Sequence, residues 1–155
     1  MRVAGRKGAT RREALAAGAG LASVFVAGPT FAAADPMETA IQGFVGEAQV
    51  RPGKVKLDLP PLVENGNSVP VAVTVDHPMT VNEFVKAIAI FTERNPQPNV
   101  ATFQLGPRAG RASVSTRMRL ATSQKVTAVA ELSDGTFWSD STDVIVTLAA
   151  CVEDS

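Results

Sequence analysis

The residue with the widest chemistry is Cys151, the only cysteine in the chain. It lies four residues from the C-terminus in Ala149-Ala150-Cys151-Val152-Glu153-Asp154-Ser155. A packing cysteine normally sits inside an element, where neighbours cover it. A thiol near a chain end is open to partners. Glu153 and Asp154 follow closely, and neighbouring negative charge disfavours the thiolate. The pattern describes an accessible thiol that others load and unload rather than a strongly activated nucleophile. The plainer alternatives are an inert thiol at a strand end or a disulfide to another chain.

The other candidates have plain readings beside the chemical ones. His77, the only histidine, could pair with Cys151 for nucleophilic chemistry. Its setting, Asp76-His77-Pro78-Met79, equally suits a polar loop residue. Arg117 and Arg119 share one face of an alternating segment and could bind an anionic group, or simply be a solvated sheet face. Arg108 and Arg111 flank Gly110 in a loop with the same ambiguity. Trp138 follows a turn and reads as core or rim packing, with an interface anchor as the alternative. Asp140 and Asp143 are expected in a polar turn, without the company of a glycosidase carboxylate pair. There is no phosphate loop, zinc spacing or nucleophile elbow, so no cofactor and no metal are expected.

Composition narrows the classes further. The chain has 155 residues, and its 45% hydrophobic content is enough for one packed domain. Tyrosine is absent and tryptophan occurs once, which argues against an aromatic stacking platform for nucleic acid. The formal net charge of zero hides an asymmetry. Residues 1–34 hold five Lys or Arg and one acid, leaving ten basic and fourteen acidic residues, a net of −4. A mildly acidic domain disfavours a phosphate-backbone partner.

The basic segment, residues 1–34, reads as an export signal. Arg11-Arg12 precedes an alanine-rich apolar stretch from Ala14 to Ala27. At roughly 14 residues it falls short of the ~20 that a membrane anchor needs. Pro29 interrupts it, and Ala32-Ala33-Ala34 offers small residues for cleavage before Asp35. The adjacent arginines suggest the twin-arginine route, with Ala14 standing where Phe or Leu is usual. The expected workplace is the periplasm. In that oxidising compartment a cysteine without an internal partner calls for a function.

Behind the thiol, the pattern predicts one helix and then strands. Asp35 can cap a helix with Pro36 in its first turn and Met37, Ile41 and Phe44 on one face. Lys54 to Leu59 alternates, Pro60-Pro61 stops it, and Glu64-Asn65-Gly66-Asn67 reads as a turn. Val69, Val71, Val73 and Val75 share one face, and Pro70 points to a strand edge or start. Phe84 to Phe91 is largely apolar, Asn95 to Asn99 is a proline-broken loop, and Val100 to Leu105 is a short strand. In Ala112 to Leu120, Ala112, Val114, Thr116, Met118 and Leu120 make one face, and Ser113, Ser115, Arg117 and Arg119 make the other. Val126 to Leu132 leads into a hairpin turn at Ser133-Asp134-Gly135-Thr136. Phe137-Trp138 opens a return strand, and Val144 to Leu148 is a separate final strand. About seven short strands without intervening helices imply an all-β, immunoglobulin-like antiparallel β-sandwich. A short N-terminal helix and a C-terminal cysteine arm complete it. The expected division is residues 1–34 signal, 35–148 sandwich and 149–155 arm.

Several stretches resemble the SoxY family, sulfur carriers of periplasmic sulfur oxidation. They are Asp76 to Thr80, Leu105-Gly106-Pro107-Arg108-Ala109-Gly110-Arg111-Ala112, Val114 to Ala121, Val129 to Trp138, and the β-run ending in a cysteine. The resemblance implies an immunoglobulin-like fold, twin-arginine export and a SoxZ-like partner subunit. It also implies a sulfur intermediate held covalently on Cys151 and shown to separate periplasmic enzymes, so that the chain itself is not an enzyme. The family's usual arm reads Gly-Gly-Cys-Gly-Gly. Here Ala149, Ala150, Val152 and Glu153 flank the cysteine, similar to a related branch whose arm reads Ala-Ala-Cys-Ile-Glu. Such an arm is stiffer, bulkier and more acidic. The alternative function is a structural or adaptor subunit in which Cys151 is incidental or forms an intersubunit disulfide.

Overall fold

A computed structural model of the chain describes residues 34–150. The proposed signal, apart from Ala34, and Cys151, Val152 and Glu153 of the arm lie outside the described residues. Helix α1 (Pro36–Val45) is followed by nine strands: β1 (Val50–Pro52), β2 (Val55–Asp58), β3 (Leu62–Asn65), β4 (Val69–Val75), β5 (Val85–Thr92), β6 (Asn99–Gln104), β7 (Ser113–Met118), β8 (Gln124–Leu132) and β9 (Phe137–Leu148). They form two sheets. The larger has the order β1-β9-β8-β5-β6, with β3 also on β9; the smaller is β2-β4-β7. This is the expected all-β, immunoglobulin-like sandwich.

Alternation decides which face is buried. Val69, Val71, Val73 and Val75 of β4 point inward, each at most 4% exposed. They meet Ile88 and Ile90 of β5 and Val126, Ala128 and Ala130 of β8 in one core. Strand β5 is covered on both sides, which is why its sequence is a continuous apolar run. Its other face, Ala89 and Phe91, packs with Val129, Phe137 and the helix residues Met37 and Val45. The Phe44 ring stands 6.0 Å from Phe91 and 5.9 Å from Phe137. The helix starts as its sequence predicts. Asp35 accepts a hydrogen bond from the Met37 amide at 2.9 Å, and Pro36 occupies the first turn.

Three features depart from the sequence reading. First, β9 is one strand of 12 residues rather than two. Ser139 to Asp143, with the two aspartates expected in a turn, pair regularly with β8. Second, Glu64 and Asn65 belong to strand β3, and the turn begins only at Gly66. Third, β1 and β3 are short strands that both run parallel to β9, in an otherwise antiparallel sandwich. The chain lies along the β9 edge as β1, crosses to the small sheet as β2, and returns to the same edge as β3. Gly53 and Lys54, both at positive φ, make the first crossing; Pro60-Pro61 makes the second. Pro70 lies near the start of β4, below the stretch that β2 covers, so no ladder bond to β2 is lost there.

Candidate functional site

Strand β9 carries the chain to the rim of the sandwich, where three segments meet. The Gly66 amide donates to the Leu148 carbonyl at 2.8 Å, and the Leu120 amide donates to the Gly66 carbonyl at 2.8 Å. The Ala150 amide then donates to the Leu120 carbonyl at 3.2 Å. Leu148 is exposed, whereas Ala150 is buried. The chain therefore leaves the sheet edge after Leu148 and is caught again at Ala150. Cys151 lies outside the described residues, but its Cα is one peptide step, about 3.8 Å, from that of Ala150.

Side chains brace this rim. Thr147 Oγ1 donates to the Glu64 carbonyl at 3.1 Å, and the Val146 amide donates to Ser123 Oγ at 2.9 Å. Asn95 holds the segment after β7. Its Nδ2 donates to the Arg119 carbonyl at 2.8 Å, and its Oδ1 accepts from the Ala121 amide at 3.0 Å and Gln124 Nε2 at 2.9 Å. Gln124 is itself buried and accepts from the Arg94 amide at 2.8 Å. The proline-broken loop is thus an anchored platform beside the arm root. An open groove of ≈ 310 Å³ runs along it, lined by Asn95, Pro96, Gln97, Asn99, Val100 and Arg119.

The other candidates divide between the two ends of the sandwich. Arg117 and Arg119 lie toward the arm end. Arg117 Nη1 donates to Ser68 Oγ at 3.2 Å and the Ser68 carbonyl at 3.3 Å. Arg108 and Arg111 are exposed in the loop before β7, at the opposite end. His77 is also at that opposite end. It follows β4, and the neighbouring Asp76 amide donates to the Lys54 carbonyl at 2.7 Å, beside Trp138. The full length of β9, 12 residues, separates that end from Leu148. At ~3.3 Å per residue this is roughly 35 Å. The structure does not bring His77 together with the arm root.

Trp138 is half-buried against the core. Its Nε1 donates to Thr136 Oγ1 at 3.1 Å, Lys54 Nζ lies 4.8 Å from its ring centre and the Arg51 guanidinium 5.8 Å. In the adjoining turn, Asp134 is held below its ordinary value by the Thr136 hydroxyl and then the Thr136 amide, both donating to its carboxylate. Asp140 and Asp143 do not form a carboxylate pair. Asp140 Oδ2 accepts from the Leu57 amide of β2 at 2.9 Å, tying the two sheets together, while Asp143 stands opposite Lys125. Among the described residues no group of three or more His, Cys, Asp or Glu is placed to hold a metal ion.

Sequence reasoning missed Gly66, Leu120, Asn95 and Gln124 at the rim. Gly66 had only a turn signal, and the others looked like core or loop. No local pattern reports that positions 66, 120 and 150 meet.

The fold is an immunoglobulin-like sandwich, held at its rim as far as Ala150, and the next residue in the sequence is the only cysteine. Residues 41–151 match the family model described as sulfur oxidation protein SoxY. The chain belongs to this family of sulfur-oxidation carrier proteins. The solved structure of the sulfur carrier protein SoxY from Chlorobium limicola f thiosulfatophilum matches with a TM-score of 0.62 and 30% identity, covering 73% of this chain and 97% of that one. Superoxide reductases share the fold alone. The neelaredoxin from Ignicoccus hospitalis gives a TM-score of 0.55 at 17% identity, covering 61% of this chain and 80% of its own. A putative superoxide reductase from Thermotoga maritima gives 0.52 at 20% identity, covering 63% and 87%. No curated protein sequence matches significantly.

Proposed function

We propose that this chain is a periplasmic sulfur carrier that holds a sulfur-containing intermediate covalently on Cys151. The observation that carries the reading is the rim geometry. Two residues past the last strand the chain is anchored at Ala150, and the next residue is the only cysteine. Joining the thiol sulfur to another sulfur of the same oxidation level releases two electrons and the thiol proton. A separate redox enzyme takes these, so the carrier is not itself the catalyst. Residues 1–34 are its export signal, by the twin-arginine route, and Ala149, Ala150, Val152 and Glu153 form a variant arm of the Ala-Ala-Cys branch.

The chain works as one subunit of a complex with a SoxZ-like partner. Exposed apolar surface supports docking near the arm. Among the described residues, Leu62, Ile145 and Leu148, all exposed by more than half, lie on the β3–β9 edge leading to the rim. An enzyme that pairs Cys151 with His77 is disfavoured by the strand length between them.

Intact-mass measurement of the complex from cells oxidising sulfur compounds tests the proposal. The expected result is a mass adduct on Cys151 that a reductant removes, together with a signal-cleaved N-terminus and a co-purifying partner. Cys151→Ser should lose the adduct and pathway activity yet keep the partner. Unmodified thiol under these growth conditions, or full activity in Cys151→Ser, would favour the adaptor reading instead.

A further inference from the structure

We infer that Gly66 is a positioning residue for the carrier thiol. It forms a seat that fixes the chain as far as Ala150, so that Cys151 is attached one residue beyond a held point. The inference deepens the proposed role of Cys151 and rests on it for its functional meaning. Its structural content stands apart.

The reason for a glycine here is space, not backbone conformation. Gly53, Gly110 and Gly135 in other turns have positive φ, but Gly66 does not. A Cβ at Gly66 would stand 2.4 Å from the Leu120 carbonyl oxygen, 3.0 Å from the Ala150 amide nitrogen and 3.1 Å from Val146 Cγ1. The first two are backbone atoms and cannot swing aside as a side chain end can. They are also the two atoms of the Ala150–Leu120 hydrogen bond. A methyl group at position 66 therefore pushes directly on the bond that holds the arm. Gly66 meanwhile uses its own amide on Leu148 and its carbonyl on Leu120. Any displacement is felt at both sides of the seat.

The effect on the thiol is large in terms of reach. With Ala150 seated, Cys151 is one residue from a fixed point, a radius of about 3.8 Å. Released back to Leu148, it would be three residues from one, a radius of about 10 Å. The volume explored shrinks about 20-fold on seating, from the cube of that ratio. Less conformational freedom is then lost when a client captures the thiol. Such a client must also receive the rim itself, the Gly66–Asn67 turn and Leu120, rather than a free strand of peptide. Client choice would follow from that shape.

The chain's single cysteine allows a nitroxide to be placed on Cys151 without other changes. Its spectrum in the wild-type protein is expected to show restricted motion. In Gly66→Ala the rotational correlation time should shorten at least about threefold, toward the nanosecond motion of free chain ends. The Ala150 amide should also exchange at least about tenfold faster, since a local opening now exposes it. Val71→Ala, a core truncation remote from the rim, controls for lost stability and should leave the spectrum unchanged. If Gly66→Ala does not fold, Ala150→Pro removes the donor of the Leu120 bond without touching Gly66 and should give the same loosening. A freely mobile label in the wild type, or an unchanged spectrum in the rim variants, overturns the seat. Neither readout depends on cargo. A restricted label with no native adduct would sink the carrier function alone, and a mobile label with an adduct would sink the seat alone.

Discussion

Asp140 offers the most direct check on how β9 is built into the sandwich. Its Oδ2 accepts from the Leu57 amide at 2.9 Å, and its Oδ1 from the Ser141 amide at 2.9 Å. Strand β2 is an edge strand of the small sheet, and the Leu57 contact reaches it from β9 of the other sheet. Asp140→Ala leaves that donor without its acceptor. A hydrogen bond to a charged group contributes about 1.5–3 kcal/mol. Asp140 is only half-buried, so the lower end applies, about 1.5–2 kcal/mol. With a urea m-value near ~2 kcal/mol/M, the midpoint should fall by about 0.7–1 M. Asp140→Asn keeps an oxygen in place and should lose about half as much, because a neutral bond is roughly half as strong. Urea unfolding of the protein measures both, and hydrogen exchange should show the Leu57 amide opening first. A loss under about 0.5 kcal/mol for the alanine variant, or equal losses for alanine and asparagine, would refute the sheet-bridging role.

His77→Ala should leave the rate of adduct formation on Cys151 within about twofold of wild type, since His77 lies about a strand length from the arm root. Mass spectrometry after loading by the host's enzymes reads this, and a large loss would restore a Cys–His mechanism. Asp134 gives a prediction with a defined sign. The Thr136 hydrogen bonds lower its folded value below the ordinary 3.8, so they stabilise the protein above that value. The contribution is lost as pH falls through the lower folded value. The gap in urea midpoint between wild type and Asp134→Asn should therefore be small but present near neutrality and close as the pH falls through the lowered folded value. A gap that widens on acidification would contradict the assignment.

The strands that could be recognised in the sequence were those with a simple burial pattern. Strand β4 alternates valines because one face is core and the other is open. Strand β7 reads as clearly, with Arg117 outside and Met118 inside. The Asp134-Gly135 turn marked its hairpin because Gly135 adopts positive φ. Strand β9 was harder. Its middle is Ser139-Asp140-Ser141-Thr142-Asp143, and aspartate is a poor strand former. Pairing with β8 along eight residues overrides that local preference. Strands β1 and β3 are three and four residues long and bounded by prolines, so neither carries a period to detect. The cysteine was conspicuous by count and position. Its seat was not, because a glycine chosen for space looks in sequence like a glycine chosen for a turn.

The seat also gives Ala150 of the arm a role that stiffness alone does not. Replacing glycine by alanine at a compatible position removes about 0.4–1 kcal/mol of unfolded-chain freedom. In a dangling arm, that restriction would only narrow where the thiol can go. Ala150 is instead buried at the rim, with its amide bound to Leu120 and close to the empty side of Gly66. The space left by the missing methyl of Gly66 is where the Ala150 amide nitrogen and the Leu120 carbonyl oxygen come together. Glycine at 150 would keep the donor but surrender the packing and regain backbone freedom, so the chain would peel from the rim more readily. Ala150 and Gly66 thus act in the same direction. Under the proposed carrier role, they would exchange the long reach of a glycine arm for an attachment one residue beyond a held point, which would suit clients that bind the rim broadly rather than draw an arm into a narrow tunnel.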